Sequence, residues 1–196
     1  EKLSQVRHRS AQKFAEEICG QMKELNFLDS RFEIRISEAE KYSSNGKDEA
    51  EFYLSVNPGE PLKPLGSVAS GGEISRVMLA VKTVLADEED TPTLIFDEID
   101  TGISGITAGK VGDRLRLIGK SRQVICITHL PQIAATADHH FLIRKKAEGT
   151  SVRTDVEMLD EAASVEELAR LLGGANVTER VMESAKELKE LAKCER

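Results

Sequence analysis

The first apolar positions of the chain are Leu3, Val6, Phe14, Ile18, Met22 and Leu25, with Ala11 between them. Their spacing, mostly three and four residues, places them on one face of a helix and predicts a long helix from residue 1 to about 26. Nothing ahead of Leu3 caps it, so the helix is expected to start before Glu1. Phe32, Ile34 and Ile36 then alternate with charged residues, the period of a half-buried strand. A Ser43-Ser44-Asn45-Gly46 turn separates it from a second strand at 51–56, and Asn57-Pro58-Gly59 with Pro61 and Pro64 forms a loop.

From Ser70 the helical period returns, with Ile74, Val77, Met78, Val81, Val84 and Leu85 on one face, until the acidic run 87–90 and Pro92 end it. Thr93-Leu94-Ile95-Phe96 is a short continuous apolar run, the pattern of a strand buried inside a parallel sheet. Beyond it the pattern predicts a helix over 105–118, a strand over 123–128, a short helix over 131–137 and a strand at 141–143. The alternating segment 151–159 is expected to pair antiparallel with that strand, and helices at 164–172 and 178–193 flank the Gly173-Gly174 break. Strand and helix in alternation predict an α/β fold, a mostly parallel sheet flanked by helices.

Composition narrows the function classes. A chain of 196 residues has room for one substantial core, or one core with an extension. With 40% hydrophobic and 31% charged residues it is a folded chain and not a disordered one. No apolar run reaches the length of a membrane span and no signal peptide opens the chain, so a cytoplasmic protein with no membrane partner is expected. Cys19, Cys126 and Cys194 are too far apart for metal-ligand spacing and read as reduced thiols. A net charge of −7 argues against a nucleic-acid binder that works by bulk charge. The densest basic cluster, Arg144-Lys145-Lys146, reads as a solvated face, as do Arg114, Arg116, Lys120 and Arg122 before it.

Three stretches carry candidate chemistry. Ser70 with Glu73 three residues on is a capping box, and Gly71-Gly72 leave the first turn bare where N–H groups and the helix dipole favour an anion. Many helices begin with a capping box; the glycine pair is harder to explain, since glycine weakens a helix unless a ligand or another backbone must come close. Asp97 and Glu98 follow the apolar strand at the sheet edge where ligands gather. Adjacent acids there suit a divalent metal and a water-activating base, with Asp100 as a possible support, although loops also carry acids simply because they are polar. His129 ends the next apolar strand at the same kind of edge, where an imidazole can donate to a phosphate oxygen. His139 and His140 read as strand-edge residues without a role. The segment Gly105 to Val111 imitates a phosphate loop, but it has three residues between glycines and Val111 in place of Ser or Thr. An anion-facing helix start therefore stands in a chain without a phosphate loop.

In this order, S-G-G-E heading a helix, a strand ending in D-E-I-D and a strand ending in T-H resemble the second half of an ABC-type ATPase head. Glu73 and the DEID at 97–100 resemble the SMC branch. "SGGEISRVMLAVK", "FDEIDTGISG" and "ITHLPQIAATADHHFLI" are similar to the RecN family of bacterial DNA-repair ATPases. The resemblance is dense over about 65–145. It implies that Ser70, Gly71, Gly72 and Glu73 are the signature motif, which reaches the γ-phosphate of ATP held by a second head. It further implies Asp97 as a Mg²⁺ ligand, Glu98 as general base and His129 as the switch histidine. The cofactors implied are ATP and Mg²⁺. The implied partners are the N-terminal half of the same head, with the phosphate loop, a second head in an ATP-dependent homodimer, and DNA.

Residues 1–26 would be the root of a coiled coil and 27–196 the C-terminal half of the head. The activity implied is ATP hydrolysis in recombinational repair of double-strand breaks, in a bacterial cytoplasm at the nucleoid, with the segment alone inactive. Where most ABC heads carry an Asp after the catalytic Glu, this chain has Ser104. Other readings are another SMC-like chromosome or repair ATPase, a self-contained metal-dependent phosphohydrolase using Asp97, Glu98, Asp100 and His129, and a non-catalytic dimerisation module.

Overall fold

Periodicity and turn chemistry translate into structure with modest changes of boundary. The computed structural model describes residues 1–67, 70–86, 88, 90–148 and 151–194. Val68 and Ala69, just ahead of the capping Ser70, and Asp87 and Glu89 of the acidic run lie outside the described residues. Two compact units emerge, one of Glu1–Ile103 with Leu117–Ile127, the other of Ser104–Arg116 with Thr128–Arg196.

In the first unit, α1 (Lys2–Glu24) packs against β1 (Arg31–Ser43) and α2 (Gly71–Val84). Ala15, Ile18 and Met22 are buried, while Leu3 and Val6 near its start are more than half exposed. At that end, Ser4 Oγ and Arg7 Nη1 donate to the Asp48 carboxylate at 2.7 and 2.9 Å, which holds it below the usual carboxylate range. Strand β1 pairs antiparallel with β2 (Gly46–Ser55), and β2 with the two-residue β3 (Lys63–Pro64). A 3₁₀ turn at Leu65–Ser67 follows. Strands β4 (Thr93–Phe96) and β5 (Gln123–Cys126) pair in parallel, with Leu94 and Phe96 turned inward.

That pair corrects one expectation: Ile95 is 68% exposed, so the apolar run is not buried on both faces. Its uncovered face also presents Ile125.

The second unit holds most of α3 (Gly105–Gly119), then α4 (Pro131–Ala134), the hairpin of β6 (His140–Glu148) and β7 (Ser151–Leu159), α5 (Glu161–Gly173) and α6 (Glu179–Cys194). Leu168, Ala169 and Ala185 of the last two helices form a buried cluster with Ala134 and Ala135. Helix α5 begins earlier than its apolar period suggests, because Asp160 caps it by accepting from the Ala163 N–H at 2.8 Å.

The α/β class holds, but among the described residues β4–β5 is the parallel pairing and the other strand pairs are antiparallel. A parallel neighbour needs a long crossover, and the two residues between β6 and β7 permit only a hairpin. No described helix is long and apolar enough to cross a membrane.

Candidate functional site

Ser70 sits in an extended conformation as the N-cap of α2, and its Oγ accepts from the Glu73 N–H at 3.4 Å, half of the expected capping box. Its carbonyl accepts from the Ile74 N–H at 3.0 Å and opens the helical ladder. The loop after β4 folds back onto this first turn. Asp97 Oδ1 accepts from the Glu98 N–H at 2.9 Å, and the Thr101 N–H closes a turn onto the Glu98 carbonyl at 3.1 Å. Glu98 adopts φ +56°, the left-handed region that a residue with a Cβ rarely occupies and that must be held by its surroundings.

Helix α2 supplies that hold. Ser75 Oγ donates to the Asp97 carbonyl at 2.9 Å. Arg76 Nη1 donates to the carbonyls of Ile99 at 3.1 Å and Thr101 at 2.8 Å. Arg76 is only 6% exposed, and its guanidinium stands 5.4 Å from the centre of the Phe27 ring. Burial pulls this guanidinium below its ordinary value, against the opposing influence of Glu73 and then Asp100. Asp100 is itself buried, beneath the edge where Asp97 and Glu98 are exposed.

The glycine pair finds its reason here. A Cβ on Gly72 would lie 2.8 Å from the Thr101 carbonyl oxygen and 3.1 Å from that of Glu98. A Cβ on Gly71 would lie 2.6 Å from Glu98 Oε2. The first turn of α2 is bare because the acid loop of the same chain rests on it.

Ser70 to Glu73 and Asp97–Glu98 are thus brought together in one unit. His129 belongs to the second unit, in a turn where Thr128 Oγ1 accepts from the Leu130 N–H at 3.0 Å. Among the described residues no three His, Cys, Asp or Glu side chains converge as a metal-holding group. A Mg²⁺ held by one carboxylate together with phosphate oxygens and waters needs no such cluster, and Asp97, exposed and with one oxygen not engaged by Glu98, fits that role. Beside the acids, burial, with Asp100 and Asp97 adding to it, pushes the Cys126 thiol up to about 12, which keeps it protonated.

Ser75 and Arg76 escaped the sequence reading. A signal existed: Gly72, Arg76 and Ala80 recur every four residues, and all three are buried, so the buried face of α2 is rotated from the one that Ile74 and Met78 suggest.

No protein-family model matches the chain. DNA repair protein RecN of Halalkalibacterium halodurans is 45% identical over 97% of the chain, and that of Vibrio cholerae 44% identical over 96%. The chain spans about a third of the length of these relatives, 34% in each case. Among solved structures, the Smc head domain with a coiled coil and joint from Pyrococcus yayanosii superposes with a TM-score of 0.59 at 21% identity. The match covers 84% of this chain and 30% of that one. A chain solved in work on ATP-driven dimerization and DNA-stimulated activation of SMC ATPases matches with a TM-score of 0.51 at 19% identity, over 88% of this chain and 99% of that one. The chain therefore has the fold of an SMC head and is, over nearly its whole length, a homologue of DNA repair proteins named RecN.

Proposed function

We propose that this chain is the C-terminal half of a RecN-like ATPase head, residues 27–196, with residues 1–26 as the root of a coiled coil. The phosphate loop belongs to an N-terminal half, and the whole protein hydrolyses ATP in recombinational repair of DNA double-strand breaks at the bacterial nucleoid. The observation that carries this reading is the seating of the Asp97–Glu98 loop on the bare first turn of α2, in a homologue of RecN.

The Ser70 hydroxyl and the first-turn N–H groups of Gly71 and Gly72 offer donors to the γ-phosphate of ATP bound by a second head, while the Glu73 N–H holds Ser70 Oγ in place at the helix start. Asp97 holds Mg²⁺, which supplies charge neutralisation at the phosphates. Glu98 takes the proton of the water that attacks the γ-phosphorus, and ADP and phosphate leave. His129 donates to a γ-phosphate oxygen. The SMC neighbour described by ATP-driven dimerization and DNA-stimulated activation supports a second copy and DNA as partners.

The test compares the full-length protein, its Glu98→Gln variant and the isolated segment. Glu98→Gln should lower ATP turnover by roughly 10²- to 10⁴-fold, as expected for loss of a general base, while the ATP-bound dimer accumulates. The segment alone should be inactive, and co-expression with the N-terminal half should restore turnover. An isolated segment that turns ATP over as fast as the full protein overturns the half-site reading.

A further inference from the structure

Three alternate carbonyls of the acid loop, those of Asp97, Ile99 and Thr101, are held by two adjacent side chains of α2, Ser75 and Arg76. Glu98 lies between the first two of these anchors, in a left-handed conformation that relaxes unless its flanks are fixed. The grip is rigid in kind. Both bonds leave one nitrogen, Nη1, whose two N–H groups lie in the fixed plane of the guanidinium, and Arg76 is buried against the Phe27 ring. Gly72 closes the contact, since the place a Cβ would take there is filled by the Thr101 and Glu98 carbonyls. The first turn of α2 and the loop of Glu98 can therefore move only together.

We infer that Ser75 and Arg76 are positioning residues that weld the anion-facing start of α2 to the loop of Glu98, so that a displacement of the helix start is delivered to the Glu98 carboxylate. This rests on the reading of Glu98 as general base. On that reading α2 faces a nucleotide held by a second head, while Asp97 and Glu98 serve the nucleotide of their own. The weld then makes turnover at one site sensitive to occupancy of the other, through a path of two side chains.

The experiment measures steady-state ATP turnover, ATP-driven dimerisation and thermal stability in the full-length protein. Arg76→Lys keeps the charge but replaces the planar donor by a point donor on a shorter, more flexible stem, and it should lower kcat by roughly 10- to 100-fold, the effect of a base misplaced by about 1 Å. KM and ATP-driven dimerisation should stay within about twofold, since the donors of Ser70 to Glu73 are untouched. Ser75→Ala, at a half-buried position where misfolding is not expected, should lower kcat by less, and Ser75→Thr, which keeps the hydroxyl, should recover it. Glu98→Gln runs alongside. If it abolishes turnover while Arg76→Lys and Ser75→Ala retain the normal kcat, the weld is wrong and the base reading stands. If kcat and KM shift together with a fall in melting temperature, Arg76 and Ser75 are structural only and the inference falls. If Glu98→Gln itself leaves turnover intact, it is the function reading that fails.

Discussion

Arg76 in the first unit and Lys189 in the second are both buried cations that hold backbone carbonyls, yet they stabilise different kinds of structure. Lys189 Nζ donates to the carbonyls of Ala135 at 3.3 Å and Ala137 at 3.1 Å, just past the end of α4. The last carbonyls of any helix lack intrahelical partners, and a cation there also complements the helix dipole. Lys189 thus solves an ordinary packing problem at the backbone of Ala135, a member of the cluster of Leu168, Ala169 and Ala185. Arg76 holds a loop with no regular ladder and a left-handed Glu98. A flexible ammonium suffices for a helix end; a strained loop needs a donor of fixed direction.

That contrast is open to attack in three places. The largest effect is expected from Gly72→Ala, whose Cβ would press on the Thr101 and Glu98 carbonyls and on Thr101 Cβ at 2.9 Å. Backbone on both sides cannot yield cheaply, so denaturant melts should show a loss of about 1–3 kcal/mol. ATP turnover of the full-length protein should fall as far as in Glu98→Gln, and normal turnover would mean that helix and loop are not locked.

Lys189→Met comes next. It leaves the Ala135 and Ala137 carbonyls without their donor, a loss of about 1–3 kcal/mol by the same measurement. At a temperature where the variant is folded, kcat should be unchanged, which would separate a packing cation from a positioning one. A kcat loss as large as that of Arg76→Lys would erase the distinction.

The smallest effect concerns His140, whose Nδ1 lies 2.9 Å from Ser164 Oγ. Burial first, and Lys189 second, hold its imidazole below the usual histidine value, while Glu167 pulls the other way. The unfolded chain therefore takes up this proton at a higher pH than the folded one. Stability should be full above the unfolded value of about 6.5 and decline as the pH falls through it, levelling only below the depressed folded value. Thermal melts of His140→Gln across that window should be flatter than those of the parent. An equally steep fall would assign the dependence to another group.

How much was legible in the sequence varies with the reach of the interaction. Strand β4 over Thr93–Phe96 and strand β7 over Ser151–Leu159 follow the apolar and alternating runs residue for residue. The N-cap at Ser70 was legible from the residue types alone. The start of α5 was missed because Asp160 sets it, ahead of any apolar repeat. The basic run Arg144-Lys145-Lys146 lies on β6, where Lys146 meets Asp155 at 3.0 Å and Arg144 approaches Glu157 at 3.8 Å across the hairpin. Part of its charge is matched by the neighbouring strand, which no linear spacing shows.

What the sequence determined by itself is what neighbours in the chain decide: helical and strand period, the capping of α2, the turn punctuation and the acid pair closing a short strand. These depend on residues a few positions apart, and their physics acts before the chain has folded. What only the tertiary structure decided is the use to which Gly72, Ser75 and Arg76 are put, because their partners lie more than twenty residues away, at Asp97 to Thr101. A glycine and an arginine in an amphipathic helix are consistent with many environments. Close packing against one particular loop selects a single one, and joins the helix start to Asp97 and Glu98.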